Sequence, residues 1–123
     1  MKMKFLICIM IAGFVAISCK TAVNTAETPR PNMVELVNNP ETTLVDVRIP
    51  SEFEEKTAKN AVNIPLAEIE NNLDFFRKQK QVVLFCNRGK QAQSALDILK
   101  KNGIENVVSA KTLDNVSAIQ NSK

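Results

Sequence analysis

The chain has 123 residues, 16 basic and 13 acidic side chains, a formal charge of +3, and no histidine, tryptophan or tyrosine. That length, with 45% hydrophobic and 24% charged residues, fits one domain with a packed core. The absence of histidine excludes Cys-His and Ser-His-Asp catalysis and any histidine-ligated metal, and the scarcity of aromatic rings argues against nucleic-acid binding. The three cysteines, Cys8, Cys19 and Cys86, fit no zinc spacing, so neither a metal nor another cofactor is expected.

The first segment, MKMKFLICIMIAGFVAISCK, pairs two lysines with an apolar run from Phe5 to Ile17 and a small residue before Cys19. The apolar run is thirteen residues long, shorter than the roughly 20 a transmembrane helix needs. Charged start, short apolar stretch and small-residue break read as a secretory leader over residues 1–18. Ala16-Ile17-Ser18-Cys19 resembles a bacterial lipobox, which implies a lipid on Cys19 and anchoring in the cell envelope, facing the periplasm or the surface. Cleavage there removes Lys2, Lys4 and Cys8, leaving 14 basic against 13 acidic side chains and a charge of +1. With Cys19 acylated, Cys86 is the only thiol left, in an oxidising compartment and without an internal partner. Residues 19–32, with two prolines and no apolar periodicity, read as the lipidated cysteine and a flexible tether.

Residues 33–123 read as the folded domain, alternating helix and strand. MVELVNN is a short helix closed by Pro40, and TTLVDVR is a β-branched buried strand. PSEFEEK starts a helix at Pro50 and Ser51, and AVNIPL is an extended segment fixed by Pro65. AEIENNLDFFRKQ predicts a helix over 67–79 with Ile69, Leu73 and Phe76 on one face. QVVLFC is the central strand. KQAQSALDILKKNG is a helix with Ala92, Ala95, Leu96 and Leu99 inward and Gly103 at its end. ENVVSA is a last strand and TLDNVSAIQN a terminal helix. The alternation predicts an α/β fold, a mostly parallel sheet of four or five strands flanked by helices, with no clear strand ahead of the first helix to make the fifth. In such folds sites form at the carboxyl ends of strands, here at Arg48 and at Cys86.

Cys86 stands where the central strand passes into a helix. The amides of such a turn and the helix N-terminus favour negative charge on the sulfur, and Arg88 and Lys90 add full positive charges that could hold an anion. Gly89 permits the tight loop by positive φ or by close backbone approach. A cysteine ending a strand is often only a small buried hydrophobe. The polar loop that follows and the lack of another thiol in the mature chain favour the reactive reading.

CNRGKQAQSA, with LVDVRIPSEFEE and AVNIPL upstream, resembles rhodanese-like domains, and most closely the small single-domain periplasmic rhodaneses of the phage-shock protein E type. The likeness covers about residues 41–114. It implies a sulfurtransferase that takes the sulfane sulfur of thiosulfate or a related donor, releases sulfite, holds a persulfide and passes it to cyanide or a thiol. On that resemblance Cys86 is the persulfide-bearing nucleophile, and Asn87, Arg88, Gly89, Lys90 and Gln91 complete a loop whose amides surround the sulfur. Lys90 stands where the periplasmic members usually carry arginine, which keeps charge but loses bidentate geometry. Asp46, Arg48 and Glu52 match the family's supporting residues and are expected to brace the loop, chiefly as architecture. Related phosphatases and arsenate reductases close the same loop with arginine, where this chain has Ala92, so phosphate chemistry is not expected.

Two stretches depart from the family pattern. Thr57 and Asn60 occupy places where the family often has histidine and glycine, and asparagine tolerates the left-handed backbone such a turn needs. Lys111 and Thr112 replace two glycines near the last loop, which is expected to reshape it. The implied partners are small sulfur-containing anions, thiol acceptors, the membrane through the lipid, and a protein sulfur donor or acceptor. A different class of function is a rhodanese-like module that carries sulfur or senses redox state for a partner without efficient turnover.

Overall fold

In the computed structural model residues 31–122 are described, so the expected leader, Cys19 and most of the tether lie outside them. Helix α1 (Met33–Asn38) starts at Asn32, whose side-chain oxygen accepts the amides of Val34 and Glu35 at 3.2 and 3.4 Å. Strand β1 (Thr42–Asp46) follows, then helix α2 (Pro50–Glu55) with proline in its first position, where a missing N–H costs nothing. The edge strand β2 is only Val62–Asn63. Helix α3 (Leu73–Lys78) leads to strand β3 (Gln81–Cys86), helix α4 (Lys90–Lys101), strand β4 (Val107–Thr112) and helix α5 (Leu113–Asn121).

The described strands form one sheet in the order β2-β1-β3-β4, every pairing parallel. The fold is therefore α/β with a four-stranded, fully parallel sheet flanked by helices. Two interior strands are buried on both faces, as their unbroken apolar runs dictate. Alternation splits their side chains between two cores. Val45, Val82, Leu84 and Cys86 face α4 through Ala92, Ala95 and Leu99, together with Ile69 and Phe76. Leu44, Val83 and Phe85 face Val37 of α1 and Leu113 and Val116 of α5. The alanines let α4 lie close to the strand that feeds it. Past its end, the amides of Gly103 and Ile104 bond the carbonyls of Lys100 and Leu99, both at 3.0 Å, and Gly103 has φ 78°. That is a Schellman closure, which needs left-handed backbone.

The single helix predicted over 67–79 is not formed. The chain makes two 3-10 turns, Leu66–Glu68 and Glu70–Asn72, before α3 begins at Leu73. Asn72 explains the break: its side-chain amide donates to the Glu68 carbonyl at 2.7 Å, the acceptor its own backbone amide would take in an α-helix. The backbone amide of Asn72 bonds the Ile69 carbonyl at 3.0 Å instead. The apolar face still reaches the core, with Ile69 and Phe76 fully buried and Leu73 packed against them. The last strand runs two residues further than ENVVSA implies, because a bulge opposite Leu84 and Phe85 carries β4 on to Thr112.

Phe76 is buried in this core and meets Phe75 edge-on with ring centroids 5.4 Å apart. Phe76→Ala is expected to cost about 3–5 kcal/mol, read as a lowered urea midpoint with an unchanged slope.

Candidate active site

Pairing of β1 with β3 sets Asp46 opposite Phe85, so the two chains leave the carboxyl edge of the sheet side by side. Asp46 and Arg48 are buried, 0% and 5% exposed, and form the only buried ion pair among the described residues. The Arg48 guanidinium donates to Asp46 from Nε at 2.9 Å and from Nη2 at 2.6 Å. Its remaining hydrogens reach the Lys56 carbonyl at 2.5 Å and, across the strand gap, Asn87 Oδ1 at 3.0 Å. Asn87 in turn donates from Nδ2 to Glu52 Oε1 at 2.6 Å. One continuous network thus joins the end of β1, helix α2 and the first residue of the loop after Cys86. Asp46 raises the Arg48 guanidinium above the ordinary arginine value, against the opposing effect of burial. Because the folded value lies above the unfolded one, while Asp46 is ionised this stabilisation is present below the arginine range and is lost as pH rises through it.

Cys86 ends β3 with 1% exposure. Its sulfur accepts the amide of Gly89 at 3.0 Å and that of Ala92 at 3.4 Å. The other amides of the loop make no hydrogen bond to it, so the sulfur is held from the helix side rather than ringed. The thiol also donates to the Lys111 carbonyl at 3.5 Å. The first turn of α4 carries no acid, which leaves the positive end of the helix dipole facing the sulfur uncompensated. Gly89 meets both requirements foreseen for it. Its φ is 89°, and a Cβ there would come within 3.1 Å of Lys111 Cβ.

A cavity of about 350 Å³ is lined by Glu52, Cys86, Asn87, Arg88, Lys90 and Gln91. Arg88 and Lys90 stand exposed on its rim and take no part in the ion pairs of the described residues. A neighbouring cavity of about 300 Å³ shares Glu52 and Asn87 but does not reach the sulfur. Among the described residues no cluster of side chains could hold a metal ion.

Three contributors escape the sequence pattern. Thr57 donates its hydroxyl to Asp46 Oδ2 at 3.0 Å, completing that carboxylate's shell. Asn63 bridges the carbonyls of Asp46 and Arg48 at 3.0 and 2.9 Å, fixing the turn after β1; an amide beside Ile-Pro in an edge strand was its available signal. The Lys111 carbonyl reaches the sulfur only because of the bulge in β4. Asn60 keeps the left-handed turn with φ 63°, and Lys111 itself has φ 69°, a conformation that costs a side-chain-bearing residue about 1–2 kcal/mol.

A parallel α/β sheet with a loop-cradled cysteine at its carboxyl edge defines the class of protein, and comparison makes it specific. The family model described as rhodanese-like domain matches residues 31–111. The chain belongs to that family. It is 31% identical over 75 residues to the thiosulfate sulfurtransferase PspE of Escherichia coli, spanning 59% of this chain and 72% of that protein. It is 32% identical over 80 residues to a tRNA uridine(34) hydroxylase of Pelagibacter ubique, spanning 63% of this chain but 27% of that one. Among solved structures it superposes on a rhodanese with anions from E. coli with a TM-score of 0.56 and 30% identity, covering 60% of this chain and 89% of that chain.

Removing one partner of the buried pair leaves the other charge uncompensated. Asp46→Asn is expected to destabilise the domain by about 3–5 kcal/mol, whereas Glu52→Gln, at a half-exposed hydrogen bond, costs about 1 kcal/mol or less. Paired urea titrations of the two variants measure the contrast.

Proposed function

We propose that the protein is a thiosulfate-type sulfurtransferase working through a persulfide on Cys86. The observation that carries this reading is the pair of amide donors, from Gly89 and Ala92, on a sulfur that lines a cavity with a cationic rim. The Cys86 thiolate, its proton released to solvent, attacks the outer sulfur of thiosulfate. The S–S bond breaks, sulfite leaves with the electron pair, and the transferred sulfur stays bonded to Cys86. A thiolate or cyanide then attacks the outer sulfur and returns the Cys86 thiolate. Arg88 and Lys90 hold the anionic donor and ease departure of the dianion, with Asn87 and Gln91 completing the walls. Asp46, Arg48 and Glu52 hold the loop in place through Asn87.

Intact-mass measurement after incubation of residues 20–123 with thiosulfate tests the reading. One added sulfur is expected, absent from Cys86→Ser and removed by cyanide or a reducing thiol. No gain, with the cysteine still alkylated, would contradict it.

The near-complete burial of the sulfur favours a second reading, a sulfur carrier or redox module serving a protein partner. Slow turnover with thiosulfate beside fast exchange with a protein persulfide would select it. We further propose that the protein is a lipoprotein of the bacterial envelope, tethered through Cys19. Cys19→Ala is expected to abolish incorporation of labelled fatty acid and to release the protein from the membrane fraction.

A further inference from the structure

Two shoulders hold the Cys86 sulfur. One is Gly89, whose amide donates to it at 3.0 Å; the other is Lys111, whose carbonyl accepts from it at 3.5 Å. The shoulders lie close together: a Cβ on Gly89 would come within 3.1 Å of Lys111 Cβ and 3.7 Å of its Cγ. Lys111 holds this place against its own backbone preference, at φ 69°. The surroundings enforce it: the bulge re-aims β4 beyond Ser109, and the Ser109 hydroxyl accepts the Lys111 amide at 3.1 Å. A strained residue that touches the nucleophile by its carbonyl and the nucleophile's amide donor by its stem is placed to control both.

We propose that Lys111 is a positioning residue that keeps the Cys86 sulfur closed in at rest. Its stem, laid over Gly89, keeps the loop folded down so that the sulfur is 1% exposed. Sulfur transfer then requires this contact to loosen. The inference deepens the sulfurtransferase reading but is tested without a donor, so it can fail while that reading stands.

The test is alkylation of Cys86 by iodoacetamide followed over pH, alongside thermal melting. On the high-pH plateau every sulfur is ionised and the rate reports access alone. Lys111→Gly removes the stem and suits the backbone, so its plateau rate is expected to rise about tenfold while the melting temperature holds or increases. Lys111→Arg, which keeps the stem, is expected to stay at the parent rate. Should the glycine variant fail to fold, Lys111→Ala carries the same test, with a smaller rise because its Cβ still meets Gly89. An unchanged plateau rate in a folded variant overturns the proposal. So does acceleration accompanied by a lowered melting temperature, which marks general loosening, or equal acceleration in Lys111→Arg.

Discussion

The buried ion pair between Asp46 and Arg48 is the constraint on which the site depends. Both groups leave water, which costs several kcal/mol per charge unless every hydrogen bond is made. Here Asp46 is also bonded by Thr57, and Arg48 by the Lys56 carbonyl and Asn87. The gain over an apolar pair of similar size is small, but neither partner can be lost alone. What the pair adds is position. Arg48 ends its reach on Asn87, so the start of the cysteine loop is held to the end of the neighbouring strand rather than left to its own turn chemistry.

From that anchor the sulfur environment follows. The loop leaves Asn87, turns at Gly89 with positive φ, and enters α4 so that the Gly89 and Ala92 amides meet Cys86. The Lys111 carbonyl accepts from the same sulfur. The sulfur is thus held between amide donors and a carbonyl acceptor, with Arg88 and Lys90 exposed outside it. The chain has no histidine, so the proposed chemistry relies on amides, helix dipole and rim cations rather than on an imidazole.

Much of this is legible in the chain. The β-branched runs of β1 and β3, the alanine face of α4 and the glycines that bound it announce their elements locally, and placing Cys86 at a strand–helix junction needs only those. Contacts between elements are less legible. That Arg48 meets Asn87 depends on β1 pairing with β3, which no local pattern encodes. The helix predicted over 67–79 fails at Asn72, where a side chain takes a backbone acceptor and overrides an apolar period that is otherwise helical. The Lys111 carbonyl is hidden for a third reason: replacement of a family glycine marks the position, but the bulge and left-handed backbone that accompany its contact with the sulfur appear only in the fold.

The most direct measurement is a crystal structure of the domain soaked in thiosulfate. Density for one sulfur atom bonded to Cys86 Sγ, projecting into the cavity between Arg88 and Lys90, is the expected result. An unmodified Cys86 in crystals whose cavity holds intact thiosulfate would contradict persulfide chemistry at this site.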